Sequence, residues 1–347
     1  MELDGVTVGS DGVYVIAEAG VNHNGNLETA EKLIDVAADS GADAVKFQTF
    51  SADRLVTKDA KKVDYQSETT GDGSQYEMLK RYELDRAAHE RLLAYCAERE
   101  ITFLSTPFDP DSADMLADLG VSAIKIGSGE LDNHPLLKHV AGLGLPLIVS
   151  TGMGTIAEVR AARDVIRSVD QDLDLAFLHC TSAYPCSLAD VNLQAMETMR
   201  ELDEPIGYSD HTTLPETPAF AVAAGASIVE KHFTLDSSLP GPDQEASLEP
   251  AELTRAVELV RAAFTSRGST TKTPTDAELA NRPAVRKSLH AATDIPAGTV
   301  LTEAHIAIIR PADGLSPTAY RSVLGTETDH DISQGDPIVE SALHTDL

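Results

Sequence analysis

The stretch SIVEKHFT, Ser227–Thr234, opens as a buried strand and then sets Glu230, Lys231 and His232 in a row. A strand that ends in two charges and an imidazole serves something besides the core. Seven earlier segments share this form: VYVIAEAG (Val13–Gly20), AVKFQTF (Ala44–Phe50), TFLSTPF (Thr102–Phe108), AIKIGSGE (Ala123–Glu130), PLIVSTG (Pro146–Gly152), LAFLHCTS (Leu175–Ser182) and PIGYSDHT (Pro205–Thr212). Each is apolar first and polar last. Amphipathic stretches such as LETAEKLIDVAADSGA and DRAAHERLLAYCAERE separate them, and EPAELTRAVELVRAAF follows the eighth. Strand then helix, eight times over, predicts a (β/α)8 barrel. A doubly wound open sheet is the alternative, but no GxGxxG follows the first strand.

The rhythm stops at TSRGSTTKTPTDAELANRP (Thr265–Pro283), which is polar, carries Gly and Pro, and reads as a linker. The expected organisation is a barrel domain over 1–266, a linker over 267–283 and a small second domain over 284–347, with short strands and Pro/Gly turns. One connection inside the barrel is long. Residues 51–85, after the second strand, show no clear strand and read as a lid or binding loop.

Composition narrows the function. The net charge of −29, from 56 acidic against 27 basic residues, argues against nucleic acid or an anionic membrane as partner. The acids are spread along the chain, as expected of a protein from a high-salt cytoplasm where salt screens self-repulsion. No apolar run approaches membrane-spanning length, and the N-terminal stretch MELDGVTVGSDG reads as no signal peptide. Three cysteines without a CxxC fit a reducing cytoplasm rather than a disulfide framework.

In a parallel barrel the strand C-terminal ends build the active site. Side chains two apart share a strand face. The ends give such pairs repeatedly: Lys46 with Gln48, Thr106 with Phe108, Ser128 with Glu130, Ser182 with Tyr184, Ser209 with His211, and Glu230 with His232. Glu18 closes the first strand; Ser150 and Thr151 close the fifth. Lys125 breaks parity with Ser128 and Glu130.

His211 and His232 end neighbouring strands, so their imidazoles can converge on one divalent ion, leaving coordination positions open to water and substrate. Glu230, one step deeper than His232, is placed to orient a ligand, whereas Lys231 points away by parity. His23, in the first loop, is a further ligand or a substrate contact. His89, His134 and His139 read as structural. The ammonium groups of Lys46 and Lys125, with the hydroxyls of Thr106, Ser128, Ser150 and Ser209, would hold a phosphate or carboxylate.

These stretches, with GSQYEMLKRYEL, GPDQEASLEP, RKSLHAATDIPAGTVL and RPADGLSP, make the chain resemble the sialic acid synthases and their relatives over nearly its whole length. The resemblance implies a (β/α)8 TIM barrel followed by a small antifreeze-like (SAF) domain, and a homodimer in which that domain covers the partner's barrel mouth. It implies condensation of phosphoenolpyruvate with an N-acetylated amino sugar, dependent on Mn2+ or Mg2+. His211 and His232 then hold the metal. Lys46, Thr106, Lys125, Ser128, Ser150 and Ser209 contact phosphoenolpyruvate, while Gln48, Phe108, Ser182, Tyr184 and Asp243 face the sugar. Glu18 and Glu130 are the acid/base candidates. An Arg of the small domain reaches the N-acetyl group, and Arg286, beside Lys287, is the match. Where sialic acid synthases carry Asn, this chain has Ser182, as do relatives making pseudaminic or legionaminic acid, so the amino sugar stays open. Two rival readings are a Schiff-base aldolase using Lys46, Lys125 or Lys231, and a carbohydrate-binding protein without catalysis.

Overall fold

The computed structural model describes residues 1–3, 5–9 and 12–344. Among them, eight parallel strands form one sheet: β1 (Tyr14–Gly20), β2 (Ala44–Thr49), β3 (Thr102–Pro107), β4 (Ile124–Ile126), β5 (Leu147–Ser150), β6 (Leu175–Cys180), β7 (Ile206–Asp210) and β8 (Ile228–His232). The ladder runs β3-β2-β1-β8-β7-β6-β5-β4, with β8 parallel to β1. Its two ends, β3 and β4, lie against each other, so the sheet curls into a nearly closed barrel.

A helix follows each strand: Leu27–Asp39, Arg86–Glu98, Pro110–Leu119, His134–Ala141, Ile156–Arg167, Ala195–Met199, Thr217–Ala223 and Pro250–Arg267. Polar caps start several of them. Asn26, Asp85, Asp109, Asn133 and Thr155 each accept a hydrogen bond from the backbone N–H three residues on, which satisfies a donor the helix cannot use itself.

Two apolar layers hold the barrel. The outer one packs strand residues such as Val45, Phe47 and Phe177 against the helices. The inner one fills the lower lumen with Tyr14, Ile16, Ala44, Leu104, Ala123, Ile148, Leu178 and Ile228, closed from below by Leu3. The lumen is thus a packed core up to mid-height, and only its C-terminal half is left for polar side chains.

The long connection after β2 holds three short helices, Ala52–Leu55, Asp64–Thr70 and Gln75–Lys80. Met78 and Tyr82 from it pack on Val21 and Phe50 in a small separate core, which seats this segment over the barrel mouth.

The chain divides into two compact units, Met1–Gly268 and Ser269–Leu347. Part of the segment expected as a linker is helical: Asp276–Val285 forms a helix whose start is fixed by a reciprocal Thr275/Glu278 capping box. In the second unit, β9 (Ser288–Ala291) pairs antiparallel with β10 (Ile306–Ile309). Leu289, Ile295, Leu301, Val323, Ile332 and Ile338 give this unit its own core. No helix among the described residues is long and apolar enough to cross a membrane.

Candidate active site

Along each strand the inward positions run from apolar to polar. On β1 they are Tyr14, Ile16 and Glu18; on β2, Ala44, Lys46 and Gln48; on β8, Ile228, Glu230 and His232. Above the apolar plug a cavity of about 460 Å³ opens, lined by these polar ends and by the segment after β2.

Its floor is a buried charge cluster. Glu18 and Lys46 are register partners, and Lys46 Nζ lies 2.8 Å from Glu18 Oε2. The same ammonium donates to Thr106 Oγ1 at 2.9 Å and lies 3.7 Å from Glu230 Oε2. Lys125 Nζ donates to Ser150 Oγ at 2.7 Å and lies 3.5 Å from Glu230 Oε1, to which Ser209 Oγ donates at 2.9 Å. Glu230 therefore stands between the two ammonium groups.

The environment drives the two carboxyls apart. Burial pushes Glu18 up to about 7, with Glu230 adding to it and Lys46 opposing. Burial would raise Glu230 too, but Lys125 and Lys46, with the Ser209 hydroxyl, hold it down at about 2. Burial lowers Lys46 less than the carboxylates of Glu18 and Glu230 raise it, so it remains an ammonium. Burial pulls Lys125 below its ordinary value.

A hydroxyl cluster adjoins Lys125. Ser128 Oγ accepts from Gly152 N at 3.0 Å and meets Cys180 Sγ at 3.1 Å. A Cβ on Gly152 would come within 2.2 Å of Ser182 Oγ and 2.8 Å of Ser128 Oγ, so only glycine lets the chain pass this close to the two cavity-lining hydroxyls. At Gly20, whose φ is +53°, a Cβ would lie 3.3 Å from Glu18 Oε1 and 3.4 Å from Asp243 Oδ2.

At the mouth, the rings of His211 and His232 lie 5.4 Å apart, and Tyr184 packs on His211 at 4.2 Å. His211 Nδ1 meets the Thr181 carbonyl at 2.7 Å, which assigns it the proton and leaves Nε2 as a lone-pair donor. His232 Nδ1 is buried without a hydrogen-bond partner among the described residues. Burial lowers both imidazoles, His232 most, so both are neutral near pH 7. No group of three or more His, Cys, Asp or Glu among the described residues could enclose a metal. Two neutral nitrogens and an orphaned ring atom fit a divalent ion in an open site that water and substrate complete.

Gln48, Phe108, Ser182, Tyr184 and Asp243 line the outer cavity. Burial pushes Asp243 up to about 6, partly offset by Lys46. Leu55, Val56, Met78, Leu79 and Tyr82 add an apolar wall that sequence reasoning missed, because no periodicity marks which side of a loop faces a cavity.

Several expected residues lie elsewhere. Glu130 is not in the cavity lining; it ends a 3-10 turn over Ser128–Glu130, and its Oε2 accepts from Asn133 Nδ2 at 2.6 Å. Strand parity stops at Ile126, which also explains Lys125: it faces inward in step with Ala123, and the turn after it breaks the count. His23 is fully buried outside the cavity lining; its Nδ1 accepts from Gly25 N at 3.0 Å, and its ring faces Phe47. Burial takes it down to about 4, so it is neutral near pH 7, and its place outside the cavity lining sets it apart from His211 and His232. Lys231 lies outside the cavity lining, bound to Asp210 at 2.6 Å, and is no candidate for a Schiff base. Arg286 and Lys287 are exposed in the second unit, just ahead of β9. His89 and His139 are structural, held by Thr49 and Asp114.

The model of the NeuB family matches residues 33–272, and that of the SAF domain matches residues 286–343. The N,N'-diacetyllegionaminic acid synthase of Legionella pneumophila is 46% identical over 93% of this chain and 92% of its own. Human N-acetylneuraminate-9-phosphate synthase is 33% identical over 94% of this chain and 91% of its own. The crystal structure of N-acetylneuraminic acid synthetase from Leptospira borgpetersenii, in complex with citrate, superposes with a TM-score of 0.72 at 34% identity. That match covers 81% of this chain and 94% of that one.

Proposed function

The chain belongs to the NeuB family, and from that premise we propose that it is a nonulosonic acid synthase, condensing phosphoenolpyruvate with an N-acetylated amino sugar and releasing phosphate. The observation that carries this reading is the cavity floor. A protein of charge −29 keeps Lys46 and Lys125 buried there, each hydrogen-bonded to a hydroxyl, with Glu18 and Glu230 as their only close carboxylates among the described residues. That is a local anion site in a repelling field, suited to the phosphate and carboxylate of phosphoenolpyruvate.

Lys46 and Lys125 hold the anion, with Thr106, Ser128, Ser150 and Ser209 fixing its orientation. Carbon 3 of the enol attacks the sugar's aldehyde carbon, and positive character develops at carbon 2. Glu230, held as a carboxylate, stabilises that charge. Glu18, poised to exchange a proton near neutral pH, takes one from the water that adds to carbon 2. The proton that Glu18 takes goes to the former aldehyde oxygen, which becomes a hydroxyl. The bond from carbon 2 to the bridging oxygen then breaks as the carbon 2 hydroxyl gives its proton to the departing phosphate, leaving the ketone and inorganic phosphate. Glu130, turned away towards Asn133, has no part in this scheme. His211 and His232 would hold Mn2+ or Mg2+, which when bound polarises the aldehyde oxygen.

The acceptor we favour is a diacetamido sugar, in line with the legionaminic acid synthase at 46% identity and with Ser182. The protein works in a salt-rich cytoplasm, for which the net charge is the support. It acts as a homodimer in which Arg286 serves the partner's cavity; the exposure of Arg286 leaves its side chain available for this.

The test is an assay in high salt with phosphoenolpyruvate, Mn2+ and a panel of amino sugars, reading phosphate release and product mass. No phosphate with any sugar sinks the reading, and turnover unaffected by EDTA sinks the metal. An adduct trapped by borohydride with pyruvate would point instead to a Schiff base, with Lys125 as the amine.

A further inference from the structure

The His211 and His232 imidazoles are backed by a second polar layer facing away from the cavity. We propose that the buried Asp210–Lys231 ion pair is a positioning device that sets the separation of the two imidazoles and so the metal affinity of the site. The inference rests on the proposal that these imidazoles hold a divalent ion.

Asp210 and Lys231 each directly precede one of the histidines. Strand alternation therefore sends the imidazoles inward and the ion pair outward. Both charges are buried, Asp210 at 0% and Lys231 at 2% exposure. They are register partners, and theirs is the last rung of the β7–β8 ladder. His211 and His232 lie one residue beyond it. His232 is held on its other side by pairing with Glu18 on β1. Among the described residues His211 has no such strand partner; its carbonyl accepts from Cys186 N at 2.7 Å and its ring is held by the Thr181 carbonyl, neither of which ties it to β8.

The side chains supply that tie. Lys231 Nζ donates to Asp210 Oδ2 at 2.6 Å and also to the Thr212 carbonyl. Asp210 Oδ2 accepts from Thr212 Oγ1 at 3.0 Å, and Oδ1 accepts from Thr212 N at 2.9 Å and Tyr208 OH at 3.2 Å. Thr212 Oγ1 in turn meets Thr217 Oγ1 at 3.1 Å. The residues on both sides of His211 are thus bound to the lysine that precedes His232.

Stability alone does not explain this arrangement. A buried ion pair is often replaceable by apolar residues at no loss of stability, and in some proteins such pairs are kept because they hold one geometry. Groups that orient metal ligands act mainly on metal affinity.

The experiment measures Mn2+ binding to the full chain by loss of the free-ion EPR signal, in the parent and in Lys231→Met, Asp210→Asn and Tyr208→Phe. Circular dichroism and thermal melts show which variants are folded. The folded charge variants are expected to bind Mn2+ roughly 10–100-fold more weakly. Tyr208→Phe, which removes one hydroxyl and keeps the fold, is expected to weaken binding by about threefold or more. Saturating Mn2+ should restore most of kcat. A lowered melting temperature with Mn2+ affinity within about twofold of the parent, in Tyr208→Phe and in any folded charge variant, overturns the proposal. A parent that binds no Mn2+ overturns it together with the metal reading, while phosphate release would still uphold the synthase.

Discussion

Glu18 and Lys46, register partners on β1 and β2, form a buried ion pair at 2.8 Å in the floor of the cavity. Lys46 also faces Glu230, so one ammonium opposes the effect of burial on both carboxyls, only partly at Glu18 and, together with Lys125, fully at Glu230. Replacing Lys46 by Met should lower kcat/KM for phosphoenolpyruvate by about 1000-fold. It should also destabilise the fold by about 3–5 kcal/mol, since it strands buried charge. Steady-state kinetics and urea titration of the same preparation measure both; near-parental kinetics would remove Lys46 from the anion site.

Glu18→Gln separates binding from proton transfer. The amide keeps the size, so phosphoenolpyruvate should still bind, while kcat falls by roughly 100- to 10000-fold. In the parent, Glu18 accepts a proton only when ionised, and its carboxyl sits at about 7. The kcat/KM of the parent should therefore rise with pH through about 7, and this limb should vanish in the variant. A rising limb unchanged by the substitution would assign it to another group.

Gly152→Ala tests the hydroxyl cluster. The added methyl would sit 2.2 Å from Ser182 Oγ and 2.9 Å from Cys180 Sγ, and must push them away. Small displacements at a substrate-positioning surface are expensive, so kcat/KM should fall roughly 100-fold. Full activity would show that this corner of the cavity takes no part in substrate placement.

His23 gives a stability test away from the chemistry. Its native value of about 4 lies below the ordinary 6.5, so between these the unfolded chain binds a proton that the folded chain refuses. Its contribution is fully present above pH 6.5 and is lost as pH falls through 4. A shift of this size corresponds to about 3 kcal/mol. Denaturant titrations at several pH values should therefore show a shallower acid loss in His23→Gln than in the parent. Parallel curves would mean that His23 titrates normally.

The charge of −29 predicts salt dependence. Raising KCl from about 0.1 M to about 3 M should raise the melting temperature, because screening relieves self-repulsion. A flat or falling scan would contradict the high-salt assignment.

The sequence by itself determined the barrel and most of what lies in its mouth. Apolar-then-polar strands recur eight times, and a period of two along each strand places Lys46 over Ala44 and His232 over Glu230 without any tertiary information. What tertiary structure decided begins where the strand ends. Parity counted past Ile126 sent Glu130 into the site and left Lys125 out of step; a 3-10 turn takes Glu130 out of the cavity lining, while Lys125 faces the cavity as expected. The pairing of Glu230 with Lys125 joins strands that are not neighbours, β8 and β4, across the lumen. Local periodicity carries no record of such a distance. The same holds for the wall supplied by Met78 and Tyr82, whose facing is set by packing on Val21 and Phe50. Side-chain direction within a strand is a local backbone property, whereas closeness across a barrel comes from closure of the whole ring.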